Sequence, residues 1–139
     1  LWRLHGVDTA MRAAAERGTI LAGVSAGSIC WHVGGPTDSF GPTLEVVTDA
    51  LGMLPFGNGV HYDSEEQRRP LLQRSVAEGT LPTSYATDDR VGIWYEGDEA
   101  VEVVSDIPDA DPDDGPAAYR VESVGGTAVE TRLPIGPVN

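Results

Sequence analysis

The first 34 residues divide into a stretch of mixed apolar and polar residues, a short apolar run, and a second mixed stretch. Residues 7–17 are rich in strong helix formers and are followed by Gly18, which predicts a helix with a glycine stop. Residues 19–24 are almost wholly apolar and predict a buried strand. The residues after Ser25 predict a second helix that ends near residues 34–36. This helix, strand, helix order is typical of α/β proteins.

The rest of the chain predicts one more helix and several short strands. Ser64 and Gln67 have the spacing of a capping box, which predicts a helix through about Ala77. Residues 44–47 are apolar enough for either a strand or a helix, and the pattern does not decide between them. Further strands are predicted at 83–87, 91–95, 100–104, 119–124 and 127–133, the last two forming a hairpin.

The pattern as a whole predicts a single α/β domain. A buried strand at 19–24 needs neighbouring strands and covered faces, so we expect a mainly parallel central sheet with helices on both faces, followed by C-terminal β-hairpins. The chain opens at Leu1, inside a structured unit, so residues 1–139 are expected to be the C-terminal portion of the domain. The partners of this portion would then be the missing N-terminal segment or a second copy. We expect the Asp- and Pro-rich loop at 107–116 to be mobile.

Composition narrows the range of partners. The chain has 22 acidic residues against nine basic ones, all of them Arg, and a formal net charge of −13. Such a chain repels phosphate, so nucleic acid and anionic membranes are not expected as partners. A single cysteine excludes an internal disulfide and fits a reducing compartment, and no signal peptide or membrane-length apolar run is visible. These features predict a cytoplasmic protein, and no metal or cofactor is expected.

The most informative motif is Gly-Val-Ser-Ala-Gly at residues 23–27. This is the G-x-S-x-G pattern of a nucleophile elbow, and it lies between a predicted strand and a predicted helix, as an elbow requires. The two glycines are expected to remove Cβ atoms that would clash as strand and helix close on each other. Ser25 is then the candidate nucleophile, and the backbone N–H of Ala26 is a candidate oxyanion donor.

Ser25 needs a base, and the chain has three histidines. His32 lies seven residues after Ser25, which on a helix is about two turns and roughly 10 Å away, too far for contact. His5 has no evident route to the elbow. His61 follows an apparent strand, and in a parallel sheet that position is at the same edge as the elbow. His61 is therefore the candidate base.

The acid that would orient His61 should come after it in the chain. Asp88 and Asp89 end a predicted strand at the same edge of the sheet. Successive side chains of a strand point to opposite faces, so only one of the two can face His61. Asp88 is the first candidate and Asp89 the second, and Asp63 or Glu65 would follow if neither served.

Together, these residues resemble the peptidase E (aspartyl dipeptidase) family, which has the class I glutamine amidotransferase-like fold. The resemblance is carried by the elbow at 23–28, by His61 within 59–63, and by the strand that ends at Asp88, and it runs from about Val7 to Val104. It implies that Ser25 is the nucleophile, His61 the base and Asp88 the acid. Amidotransferases of this fold have Cys at the elbow, so glutaminase chemistry is not supported here.

Family members that cleave after an N-terminal Asp should present a cation to the substrate carboxylate. Arg68 and Arg69 are the candidates for that role, although they could equally pair with carboxylates of the protein itself. The favoured function is a cytoplasmic serine peptidase of the dipeptidase E type that acts on short peptides, with Asp-Xaa dipeptides as the candidate substrates that the resemblance suggests. The alternative is a catalytically inactive amidotransferase-like domain used for binding or assembly.

Overall fold

The computed structural model describes residues 1–107, 110–111 and 113–138. Residues 108, 109 and 112 of the loop predicted to be mobile lie outside the described residues. The helices are α1 (Val7–Glu16), α2 (Ala26–Ile29) and α3 (Arg68–Ala77). The strands are β1 (Gly35–Thr37), β2 (Glu45–Val47), β3 (Gly57–Gly59), β4 (Ser84–Thr87), β5 (Val91–Glu96), β6 (Glu99–Ser105), β7 (Ala118–Val124), β8 (Thr127–Leu133) and β9 (Gly136–Pro137).

The predicted buried strand at 19–24 is wrong for the described chain. These residues form no strand, and the side chains of Ile20 and Val24 are 70% and 87% exposed. The apolar run favours burial, but within the described residues no neighbouring strand offers it hydrogen-bond partners or a packing surface. The first helix, in contrast, is present as predicted and is closed by Gly18 in the left-handed region at φ 91°.

The main sheet is mixed, which corrects the expectation of a mainly parallel one. Its strand order is β3-β4-β7-β8, and only β3 and β4 run parallel among these described strands. The connection between them is α3, so β3-α3-β4 is a parallel crossover unit. Gly59 permits close packing there, because a Cβ at this position would lie 2.9 Å from Leu72 Cδ2 and 3.0 Å from Ala86 Cβ.

The two faces of this sheet are covered differently. Ala86 lies in the apolar core that α3 covers, together with Leu72 and Val76. Tyr85, its neighbour in β4, must point to the other face, where its ring makes edge contacts with Phe56 and Tyr95. In the described chain, aromatic side chains therefore cover the face on which a second layer of helices was expected.

Smaller elements also differ in their bounds from the prediction. The elbow helix α2 ends at Ile29, well before residues 34–36. Helix α3 begins at Arg68 rather than near Ser64, and Gln67 precedes it without a side-chain cap. The capping-box prediction is thus wrong, because residues 61–65 form a turn instead.

The strands of the second half are close to their predicted positions. The segment at 44–47, which the pattern left open, contains β2. Strands β7 and β8 form the predicted hairpin, and both glycines of its turn, Gly125 and Gly126, have positive φ. Strands β5, β6 and β9 make a separate three-stranded antiparallel sheet. None of the helices described here has the length and apolar content needed to span a membrane.

Candidate active site

Ser25 stands on a strained turn directly before α2. Its φ of 54° and ψ of −123° lie outside the regions that non-glycine residues normally occupy. A Cβ on Gly23 would lie 1.9 Å from the carbonyl oxygen of Gly27, so only glycine fits there. A Cβ on Gly27 would meet nothing within 4 Å, which corrects the expectation that both glycines prevent a clash.

His61 reaches this turn from the end of β3. Its Nε2 atom lies 2.8 Å from Ser25 Oγ. The φ of His61 is 53°, so His61 is a second non-glycine residue in the left-handed region. Such conformations cost of order 1–3 kcal/mol each and are typical of functional sites.

The second ring nitrogen of His61 is held by Asp89. Nδ1 lies 2.6 Å from Asp89 Oδ1, and the two side chains are 32% and 45% exposed. A carboxylate accepts here, so Nδ1 carries the proton and Nε2 is left to accept from the Ser25 hydroxyl. Hydrogen bonds from His61 and Ser64 lower the pKa of Asp89, which keeps the carboxylate ionised.

Asp88, the first candidate for the acid, makes different contacts. Its side chain is buried, and Oδ2 accepts hydrogen bonds from the N–H of Ala117 at 2.9 Å and from Tyr119 Oη at 3.1 Å. Burial raises the pKa of Asp88. The hydrogen bond to His61 that was expected of Asp88 is made by Asp89 instead. The pairing of β4 with β7 continues to Asp88, whose N–H donates to Ala117 O. The Asp88 side chain is therefore directed toward β7 and away from His61.

The Ala26 N–H group lies at the start of α2, next to the Ser25 hydroxyl. The following N–H groups are used, since Gly27 donates to Val24 O at 2.9 Å and Ser28 to Ser25 O at 2.8 Å. Within the described chain the Ala26 N–H makes no such bond. It is thus free to donate to an oxygen bound beside Ser25.

The two candidate substrate-binding arginines are both engaged by the protein. Arg68 is 3% exposed, with Nε 2.6 Å from Glu65 Oε2 and Nη1 donating to Pro36 O at 2.8 Å. Arg69 pairs with Glu130 and lies over the rings of Tyr62 and Tyr119. Both arginines therefore pair with carboxylates of the protein itself, which is the alternative that the sequence left open.

His32 and Cys30, which follow the elbow, have hydrogen-bond partners within the protein. His32 is buried, burial lowers its pKa, and Nδ1 lies 2.9 Å from Ser28 O. The Cys30 thiol donates to Gly27 O, and burial raises its pKa, which disfavours the thiolate. Across the described residues, no group of three or more His, Cys, Asp and Glu side chains is arranged to hold a metal ion.

Asp63 and Ser64 both interact with Asp89, a role that the sequence pattern did not predict. Asp63 Oδ1 accepts the N–H of Asp89 at 2.9 Å, and Ser64 contributes to the low pKa of the Asp89 carboxyl. Their closeness in sequence to His61 was a signal available in the chain. Its meaning depends on the distant Asp89, which a local pattern does not reveal.

Comparison with known proteins gives the family. The profile of peptidase family S51 matches residues 1–103. An uncharacterized peptidase of Bacillus subtilis (strain 168), YgaJ, is 35% identical over 135 residues, which cover 97% of this chain and 55% of that relative. The chain thus spans about half the length of the curated relative that it matches, and no solved structure matches it significantly. The extent of the profile match and the identity to this relative show that the chain belongs to peptidase family S51, in agreement with its resemblance to peptidase E.

Proposed function

We propose that the protein is a serine peptidase that hydrolyses short peptides through Ser25, His61 and Asp89. The observation that carries the proposal is the continuous chain of contacts, 2.8 Å from Ser25 Oγ to His61 Nε2 and 2.6 Å from His61 Nδ1 to Asp89 Oδ1. A nucleophile in contact with a base, itself oriented by a third group, is the arrangement that activates a serine hydroxyl. Membership of a peptidase family and the peptidase name of the relative support the same reaction class.

In the first half of the reaction, Ser25 Oγ attacks the peptide carbonyl carbon while His61 Nε2 takes the hydroxyl proton. Asp89 stabilises the imidazolium that forms and does not itself take the proton. The Ala26 N–H donates to the oxyanion. His61 then gives its proton to the leaving nitrogen, the C–N bond breaks, and an acyl-enzyme remains on Ser25.

In the second half, water replaces the released amine. His61 takes a proton from the water, whose oxygen attacks the ester carbonyl of the acyl-enzyme. Collapse of the second tetrahedral intermediate returns the proton to Ser25 Oγ and releases the carboxylic acid product. The enzyme is thereby regenerated, with one water molecule consumed.

We propose short peptides in general as substrates, without a requirement for an N-terminal Asp. Arg68 and Arg69 already have carboxylate partners, Glu65 and Glu130, and therefore give no support to recognition of an acidic side chain. The single cysteine fits a reducing compartment, so the cytoplasm is the proposed location.

The proposal is tested with a fluorophosphonate probe and a panel of dipeptides, applied to the full-length protein. The wild type should be labelled and active, and Ser25→Ala should lose both the label and several orders of magnitude in kcat. Ser28→Ala, in the same segment, is the matched control and should retain both. Absence of labelling and of turnover in the wild type would favour the non-catalytic binding or assembly domain instead.

A further inference from the structure

The acid of the proposed triad stands on a turn, not on a regular element. Strand β4 ends at Thr87, and β5 begins at Val91. Between them, Arg90 has a φ of 66°, the third non-glycine residue with positive φ in the part of the chain that the structure describes, after Ser25 and His61. Because such a backbone is unfavourable on its own, the surrounding contacts must hold it.

Asp88 fixes this turn to β7. Its side chain is 5% exposed, and one carboxylate oxygen receives two hydrogen bonds, from Ala117 N–H and from Tyr119 Oη. Its own N–H donates to Ala117 O at 3.1 Å. Asp88 therefore ties the residue immediately before Asp89 to a neighbouring strand through both its backbone and its side chain.

Asp63 holds the same turn from the segment that follows His61. Its carboxylate accepts the Asp89 N–H at 2.9 Å. Asp63 lies two residues after His61, in a turn that is closed by a hydrogen bond from Glu65 N–H to His61 O at 3.1 Å. The backbones that carry the base and the acid are thereby connected by a second route, independent of the bond between His61 and Asp89.

We propose that Asp88 and Asp63 are positioning residues that hold the Asp89 carboxylate against His61 Nδ1. The inference rests on the proposed function for its catalytic meaning. The Asp89 side chain is 45% exposed, so packing alone does not confine it and water competes for its oxygens. Asp88 and the Asp89 N–H both lie directly before the Asp89 Cα, and holding the backbone there restricts the directions in which the carboxylate can point.

The proposal distinguishes a positioning role for Asp88 from the role of triad acid. In Asp88→Asn the side-chain oxygen can still accept from Ala117 N–H and Tyr119 Oη, so kcat should stay within about threefold of the wild type. In Asp88→Ala both donors lose their acceptor, and kcat should fall about 10- to 100-fold with KM unchanged, the scale of a small misplacement of a catalytic group. If Asp88→Asn is as damaging as Asp89→Asn, Asp88 acts through its charge and the proposal is wrong.

Asp63 provides a second test. Its side chain is exposed, so substitutions there do not disturb the buried surroundings of Asp88. Asp63→Asn keeps an oxygen for the Asp89 N–H and should be near wild type, whereas Asp63→Ala should lower kcat about tenfold. Glu66→Ala removes a nearby exposed charge and is the control for a general electrostatic effect. If Asp88→Ala fails to fold, Tyr119→Phe replaces it, because that variant removes only one of the two donors.

Proton NMR separates this inference from the proposed function. The Nδ1–H proton of His61, shared with Asp89, should give a far-downfield resonance in the wild type and in both Asn variants. The resonance should shift upfield or vanish in Asp88→Ala and Asp63→Ala. Those shifts would support positioning even if the protein cleaved no peptide, whereas unchanged resonances in both Ala variants would overturn it, with or without activity.

Discussion

His61 Nδ1 lies 2.6 Å from Asp89 Oδ1, while the adjacent Asp88 is bonded to Ala117 and Tyr119. These two neighbouring carboxylates thus have different environments: Asp89 is partly exposed and contacts His61, whereas Asp88 is buried. The first has a lowered pKa because of the hydrogen bonds from His61 and Ser64, and the second a raised pKa because of its burial. This difference separates their expected effects on activity.

Asp89→Asn should lower kcat by about 10²–10⁴ without unfolding the protein, because the amide can favour the wrong tautomer of His61 and does not stabilise the imidazolium. Steady-state kinetics with a cleaved dipeptide measure this, and circular dichroism checks the fold. Asp98→Asn, at the exposed β5–β6 turn, is the control and should have no effect. Wild-type activity in Asp89→Asn would remove Asp89 from the mechanism.

The two glycines of the elbow should respond differently to alanine. Gly23→Ala should destabilise the protein by about 3 kcal/mol and disturb Ser25, because its Cβ would overlap the Gly27 carbonyl. Gly27→Ala should be neutral or stabilising by up to about 1 kcal/mol, because the Cβ enters open space within a helix. Thermal unfolding and kcat of both variants are the measurements, and equal losses would show that Gly27 is also closely packed in the whole protein.

Glu130→Gln should cost about 1.5–3 kcal/mol of unfolding free energy, because Glu130 accepts hydrogen bonds from Tyr62 Oη at 2.7 Å and Gln73 Nε2 at 2.8 Å and pairs with Arg69. Glu122→Gln is the comparison. It breaks a more exposed pair with Arg120 and should cost less than about 1 kcal/mol.

The stabilisation by Glu130 should depend on pH. Burial alone would raise the pKa of Glu130, but the hydrogen bonds from Tyr62, Arg69 and Gln73 lower it overall. The folded protein therefore binds this proton less tightly than the unfolded chain does. The stabilisation is complete above the ordinary Glu value of 4.5 and is lost as pH falls through the lower folded value. Urea unfolding of wild type and Glu130→Gln from pH 7 downward should show the difference shrinking at acid pH, and a constant difference would contradict this account.

Arg68→Ala should reduce stability by about 3 kcal/mol and leave substrate selectivity unchanged, because the guanidinium is buried against Glu65 and the Pro36 carbonyl. The ratio of kcat/KM for Asp-Xaa to that for Ala-Xaa dipeptides is the measurement, made at a temperature where the variant is folded. Arg69→Ala serves as the comparison and should give the same ratio. A selective loss of Asp-Xaa cleavage in either variant would restore that arginine as a substrate ligand.

The sequence predicted the parts of the site that depend on local chemistry. The elbow is set within five residues by Gly23, where only glycine fits beside the Gly27 carbonyl, and by the start of α2 after Ser25. The position of His61 after a short strand was enough to bring it near Ser25. The choice between Asp88 and Asp89 could not be made in this way. It depends on hydrogen bonds to Ala117 and Tyr119, almost 30 residues further along, which fix the direction of the turn.

The fold shows the same division between local and distant causes. The hairpin of β7 and β8 follows from its Gly-Gly turn and alternating side chains, which are local signals. The run at 19–24 shows the limit of such signals. The apolar composition of residues 19–24 favours their burial. Strand pairing also requires a neighbouring strand, and the described residues provide none for this segment.

The three residues of the candidate triad lie on three separate turns, with His61 36 positions after Ser25 and Asp89 28 positions after His61. No one segment contains the site, so the chain must close two long loops before the hydroxyl, imidazole and carboxylate meet. Contacts of such separation form slowly during folding, after local helices and hairpins. Recovery of catalysis after dilution from denaturant should therefore lag behind recovery of secondary structure, and catalysis would then report the completed tertiary fold.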